Sequence, residues 1–201
     1  ITDRLVALSR ALIGRIRGGL AQVNVLVSMF FAGMNGSVVA DTATVGALVL
    51  PAMKKAGYPA AFSAAVTGVS STIGGIIPPS IMMIVLANST EISIAALFAA
   101  GIIPGVLIGV VIMIINHYFA IKYNFERSDE PFSVRRAGKE LYRSSFALLI
   151  PLVLVGSVMG GVASVVEAGA ITAMVALFTG VFVYRTIKWK DCTGAFRRAF
   201  R

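Results

Sequence analysis

Long apolar runs alternate with short basic clusters along this chain, and the runs differ in how they are interrupted. Residues 1–19 set Leu5, Val6, Leu12, Ile13 and Ile16 among Arg4, Arg10, Arg15 and Arg17, the pattern of an amphipathic helix lying along a membrane interface. Residues 20–34 are apolar but too short to span a bilayer, which takes about 20 residues. Asn35-Gly36-Ser37 interrupts the run, and a second one, Val38 to Met53, leads to Lys54-Lys55. Both outer ends of 20–55 carry positive charge, so this stretch predicts a re-entrant helical hairpin with its tip at Asn35-Gly36-Ser37. A single kinked span is the competing reading, and it would carry Lys54-Lys55 to the far side against the charge rule.

Residues 56–119 read as a broken helix followed by a return span. After the turn Gly57-Tyr58-Pro59, Ala60 to Ile73 is rich in Ala, Ser, Thr and Gly, which lets helices approach closely. The run then meets Ser70-Ser71-Thr72-Ile73-Gly74-Gly75-Ile76-Ile77-Pro78-Pro79-Ser80. Inside a helix Gly costs roughly 1 kcal/mol and Pro about 3 kcal/mol, and each proline removes a backbone donor. Irregular backbone at membrane depth survives only where protein buries it or where it lines a wet cavity, so the break is a candidate site. Ile81 to Asn88 resumes the run, the loop Asn88-Ser89-Thr90-Glu91 has no Lys or Arg, and Ile92 to Phe119 returns with Pro104-Gly105 as its expected kink. Residues 120–143 form a mixed-charge cytoplasmic connector. Residues 144–184 hold two further spans, Ser145 to Met159 and Ala168 to Tyr184, with Gly160-Gly161 opening the turn between them. Residues 185–201 are a basic cytoplasmic tail. The expected fold class is an all-α polytopic membrane protein.

Composition narrows this further. The 201 residues are 57% hydrophobic and 13% charged, against about 25% charged in soluble domains. Continuous rather than alternating runs exclude a membrane β-barrel. All 18 Lys and Arg fall in four clusters, Arg4 to Arg17, Lys54-Lys55, Lys122 to Arg143 and Arg185 to Arg201, which mark the cytoplasmic side. The net charge of +9 therefore flanks spans and contacts membrane lipid; it forms no aromatic-laced stripe for nucleic acid. With Cys192 the only cysteine and His117 the only histidine, neither an internal disulfide nor a His-rich transition-metal site is available. The chain has no Gly-x-x-x-x-Gly-Lys-Ser/Thr loop for ATP, and no Ser/His, His/Glu or paired-Asp arrangement for an intramembrane enzyme. It begins at Ile1 and ends in a basic segment, as a piece of a longer protein would.

Two acidic residues lie within apolar sequence, Asp41 and Glu167. Asp41, one turn into the second hairpin arm, can stabilise a helix N-terminus or ligate a cation. Glu167 reads more simply as a helix N-terminal charge. The hairpin tip offers helix carbonyls at Ala32 to Asn35 and helix amides after Ser37; the break offers the same two ends around Gly74 to Ser80. Carbonyl ends suit Na+ and amide ends suit carboxylates. Asn35, Ser37, Ser70, Ser71, Thr72 and Ser80 add hard, neutral oxygens of the Na+-ligand type.

These stretches, Gly36-Ser37-Val38-Val39-Ala40-Asp41-Thr42-Ala43 and Ser70 to Ser80, resemble the large membrane subunit of tripartite ATP-independent periplasmic (TRAP) transporters. Leu50-Pro51-Ala52-Met53-Lys54-Lys55, Arg17-Gly18-Gly19-Leu20-Ala21, Tyr184-Arg185 and Lys188-Trp189-Lys190-Asp191 extend the likeness over nearly the whole chain. The resemblance implies Na+-driven uptake of organic acids, such as C4-dicarboxylates or sialic acid, across the bacterial inner membrane, with no organic cofactor. It implies two partners, a periplasmic substrate-binding protein and a small (Q-type) membrane subunit. It also implies an elevator in which a transport domain of hairpin and broken helix slides against scaffold helices. Carried over by motif, Asn35, Gly36, Ser37, Asp41, Ser71, Thr72, Gly74, Gly75 and Pro78 form one Na+ site, with Ser37, Ser70 and Ser80 facing the substrate. Three departures stand out: Asn35 where Ser is common, Gly75 where Pro is common, and Val165-Val166-Glu167 in place of Pro-Thr-Glu. The family's inverted second copy of hairpin and break has no counterpart in 144–201, so this chain is expected to be the first half and not to transport alone. A single-component Na+/carboxylate transporter and a non-transporting membrane scaffold are the alternative functions.

Overall fold

The computed structural model describes residues 2–13, 16–125 and 133–184, so the basic tail and the middle of the connector lie outside the described residues. Its regular elements are helices: α1 (Thr2–Ile13), α2 (Gly19–Asn35), α3 (Val38–Lys55), α4 (Ala60–Ser71), α5 (Ile81–Thr90), α6 (Ile94–Lys122), α7 (Val134–Met159) and α8 (Val165–Phe178). A 3-10 turn, Thr72–Gly75, follows α4, and a π-helical turn, Thr179–Val183, extends α8.

Serine starts five of these helices, and in four of them its hydroxyl caps the first turn. Ser37, Ser80, Ser93 and Ser164 each accept the N–H of the third residue onward, from Ala40, Met83, Ala96 and Glu167. Each cap satisfies an amide that the helix itself leaves free, a need that lipid sharpens.

Helix lengths sort the elements into two kinds. Helix α6 has 29 residues and α7 has 26, lengths of about 44 and 39 Å at 1.5 Å per residue. Together with Val165–Val183 they are, among the described residues, the three helices long and apolar enough to cross a membrane. Helices α4 and α5 have 12 and 10 residues, about 18 and 15 Å, roughly half a bilayer core each.

Three boundaries differ from the sequence reading. Helix α7 begins at Val134, so the last part of the connector is helical, with Arg143 and Glu140 paired at 3.2 Å one turn apart. Helix α8 begins at Val165 rather than Ala168, because Ser164 and Glu167 close a capping box. Asn88 to Thr90 finish α5 instead of forming a loop, with the Ser89 and Thr90 hydroxyls bonded back to Val85 and Leu86 carbonyls. Helix α6 passes Pro104 without a break.

The core is centred on α2, which packs against α1, α3, α4, α6 and the 3-10 turn. Val25, Val27 and Phe31 of α2 meet Val45, Val49 and Met53 of α3, Val66 of α4, Ile73 and Ile112. Helix α6 approaches through glycines. A side chain at Gly105 would collide with Ile77, one at Gly109 with Met29, and one at Gly101 with Met83 and the Ile76 carbonyl. Gly101 and Gly105 thus seat the broken segment and α5 against α6, and Gly109 seats α2. Helix α7 carries α8 on one side and α1 on another, where Ser144 donates to the Arg4 carbonyl at 3.2 Å. A small second core joins Phe98, Val158 and Ala168. Outward, Ile103, Leu107 and Ile114 of α6 and Met174 and Phe178 of α8 are exposed, an apolar surface suited to lipid.

Candidate functional site

The α2–α3 pair is a tight antiparallel hairpin. Its arms lie close enough for Asn24, early in α2, to donate to the Met53 sulfur, late in α3, at 3.6 Å. At the tip Gly36 is left-handed, φ 58°, and its N–H closes α2 on the Ala32 carbonyl at 3.2 Å. An L side chain rarely adopts this conformation, and here none would fit, since the Pro79 carbonyl occupies the space a Cβ would need. Asn35 turns its side-chain oxygen to the Ser37 N–H at 3.4 Å, and the Ser37 hydroxyl caps α3.

The break lies directly on this tip. The Gly36 carbonyl accepts the N–H of Ile81, the first residue of α5, at 3.2 Å. A Cβ built on Gly33 would stand 3.9 Å from the Pro78 carbonyl. One on Gly74 would stand 3.7 Å from both the Ser37 carbonyl and Asp41 Cβ, and one on Gly75 would be 3.2 Å from Val38. The structure therefore brings Gly36, Ser37, Asp41, Gly74, Gly75 and Pro78 together. Ser80 is buried and caps α5, with its own proton donated to the Gly75 carbonyl at 2.8 Å. Thr72 is exposed, and its hydroxyl is turned back to the Val69 carbonyl at 2.7 Å.

Asp41 is the chemical centre of this junction. It is fully buried, and neither carboxylate oxygen has a hydrogen-bond partner among the described residues. Ser71 and Ser28 are its polar neighbours, and the Ser71 hydroxyl is likewise buried and unpartnered. No Lys or Arg occurs in residues 18–53 or 56–121 to neutralise it from the same elements. A buried, unpaired carboxylate is costly unless a counter-charge arrives. A small hard cation with oxygen ligands fits: Asp41 supplies charge, and Ser71 and Ser28 supply neutral oxygens.

Ser70 points elsewhere. It is fully buried, with its hydroxyl 3.1 Å from that of Ser28 and 3.4 Å from the Asn24 side-chain oxygen. Asn24 in turn donates to Thr67 at 2.7 Å, and Thr67 to the Ser63 carbonyl at 2.9 Å. Asn24, Ser28 and Thr67 were not among the sequence candidates. The signal was present, since Asn24 and Ser28 are four apart in an apolar helix and Thr67 and Ser71 are four apart in the next, which places each pair on one face. Glu167, by contrast, is exposed and its carboxylate accepts from the Ser164 N–H and hydroxyl at 2.8 and 2.7 Å, a helix cap far simpler than a site.

Comparison with known proteins agrees with this architecture. A family model described as "Tripartite ATP-independent periplasmic transporter, DctM component" matches residues 1–201. A C4-dicarboxylate TRAP transporter large permease protein of Pseudomonas aeruginosa is 35% identical over 192 residues, covering 96% of this chain and 45% of that protein. The sialic acid TRAP transporter large permease protein of Vibrio cholerae is 34% identical over 187 residues, 93% of this chain and 44% of that protein. The 2,3-diketo-L-gulonate TRAP transporter large permease protein of Escherichia coli is 36% identical over 185 residues, 92% of this chain and 43% of that protein. The chain spans less than half the length of these relatives, which are permeases rather than enzymes. By the match over its whole length, the chain belongs to the DctM component family of tripartite ATP-independent periplasmic transporters.

Proposed function

We propose that this chain forms the ion-binding half of a Na+-coupled permease that imports organic acids delivered by a periplasmic binding protein. The observation that carries the reading is Asp41, a fully buried carboxylate with no hydrogen-bond partner among the described residues, set where the hairpin tip meets the break. Na+ binds there between α3 and the 3-10 turn, neutralising Asp41 and joining the two interrupted helices. The Ser37-capped start of α3 and the Ser80-capped start of α5 point helix amides at the same junction, an arrangement that favours a substrate carboxylate. Relatives named for C4-dicarboxylate, sialic acid and 2,3-diketo-L-gulonate support organic acids as the substrate class. A small membrane subunit covers part of the exposed apolar surface in the assembled inner-membrane complex.

The hairpin is re-entrant in this reading, with its basic outer ends at the cytoplasmic face. The unit of α2 to α5 is the moving body of an elevator, and α7 with α8 belongs to the scaffold. The test is Na+-dependent uptake by the full-length permease reconstituted with its small subunit and binding protein. Asp41→Asn keeps shape and removes the charge, and it is expected to lower uptake at limiting Na+ by about tenfold or more. Unchanged Na+ dependence in that variant would sink the ion-site reading.

A further inference from the structure

Behind Asp41 and Ser28 runs a line of hydrogen-bonded side chains, Ser70, Asn24 and Thr67, that lies outside the ion site itself. It begins at a fixed end. Thr67 gives its only hydroxyl proton to the Ser63 carbonyl at 2.9 Å, so towards Asn24 it can only accept. Asn24 therefore presents its NH2 to Thr67 at 2.7 Å, and its second N–H reaches the Met53 sulfur at 3.6 Å. That fixes the amide, and the Asn24 oxygen is left facing the Ser70 hydroxyl at 3.4 Å.

The other end is free to choose. Ser70 can donate to the Asn24 oxygen, to the Thr67 carbonyl at 3.1 Å, or to Ser28 at 3.1 Å. Ser28 has one proton and two claimants, the Ser70 oxygen and the unpartnered Asp41 carboxylate. Two proton orders satisfy the line. In one, Ser70 donates to Ser28 and Ser28 donates to Asp41, which solvates a bare carboxylate. In the other, Ser28 donates to Ser70 and Ser70 donates to Asn24 or Thr67, which turns the lone pairs of Ser28 towards Asp41 and whatever cation it holds. The orders differ only by hydroxyl rotation; no proton leaves its oxygen.

We propose that Ser70 and Asn24 are positioning residues that act through the Ser28 hydroxyl to set how strongly the Asp41 site holds its cation, with Ser28, Ser70 and Asn24 forming a two-way hydroxyl relay whose fixed end is Asn24. The relay rests on the ion-site reading above. It spans α2 and α4, so cation binding at α3 is felt at the α2–α4 contact, where none of the three residues is exposed. Removing the Ser28 hydroxyl takes away both the donor that solvates the empty carboxylate and the oxygen that faces the filled one. Which loss dominates depends on the cation's size, so the relay acts on the preference among alkali cations as well as on affinity.

The test uses the full-length permease in its purified membrane complex, with Na+ and Li+ as probes and choline chloride holding ionic strength. The readout is the cation concentration giving half of the thermal stabilisation. Ser28→Ala is expected to move the Na+ half-saturation by about tenfold and to change the Na+:Li+ ratio, while Ser28→Thr returns both to within about twofold of the parent. Asn24→Leu is expected to move it in the same direction by a smaller factor. A purely structural role would lower the melting temperature without cation and leave both readouts in place, and that result overturns the relay. Asp41→Asn separates the two readings: if it abolishes the Na+ response while Ser28→Ala moves nothing, the relay alone fails. If Asp41→Asn keeps the response, the ion site fails first. Should Ser28→Ala not fold, Ser70→Ala interrupts the same line and carries the same expectation.

Discussion

Helices α2 and α8 are both apolar enough to sit at membrane depth, and the protein treats them in opposite ways. Helix α2 is enclosed by five other helices, α1, α3, α4, α6 and α7, and buries Gln22, Asn24 and Ser28 along with its valines. Helix α8 buries only Ala168 and Thr172 and leaves Met174 71% exposed. In α2 the polar side chains bond to other elements, Gln22 to the Met113 carbonyl at 2.8 Å and Asn24 to Thr67. In α8 and its extension they bond to their own helix, Thr172 to Ala168 and Thr179 to Val175. Hydrophobicity suits both to membrane depth; the destination of their polar groups separates the helix enclosed by protein from the one with an open apolar face.

Substitutions can break this contrast or sharpen it. Gly36→Ala should do most, because it opposes a left-handed backbone and drives a Cβ into the Pro79 carbonyl at the hairpin–break joint. A loss of about 2–4 kcal/mol is expected, read as a fall in melting temperature or in the yield of folded full-length permease. Ser164→Ala removes the capping box of α8 and should cost about 1 kcal/mol in the same assay, since the cap is exposed and local. Met174→Leu, on the open face of α8, should stay within about 0.5 kcal/mol. Were Met174→Leu as damaging as Gly36→Ala, the division into an enclosed core helix and an open outer helix would be wrong.

The hairpin, the break and their meeting were legible because Gly, Pro and Ser act locally. Asn35-Gly36-Ser37 and the Gly-Gly and Pro-Pro pairs decide backbone angles whatever surrounds them. What could not be read was phase. Ser70, Ser71 and Thr72 are consecutive and so stand about 100° apart around a helix, facing Asn24, Asp41 and the outside respectively. Which of the three faces the site is set by how α4 packs on α2 and α3, and no local residue type announces that. The start of α8 was legible and misplaced: Ser164-x-x-Glu167 is a capping-box pattern, and it sets the first turn at Val165. The helical reach of α7 back to Val134 was hidden by its charge, since Arg135, Arg136 and Lys139 look like loop and instead coat an exposed helix.

The bond from the Ile81 N–H to the Gly36 carbonyl has a further consequence. It joins hairpin to break through main-chain atoms alone, at a place where Gly36 has no side chain to vary. The joint is thus held by main-chain atoms, while the side chains around Asp41 belong to α2 and α4. On the proposed ion-site reading, a designer seeking a different ion preference would rewrite side chains along α2 and α4 and leave the joint intact. Rewriting the tip would dismantle the frame before it changed the choice.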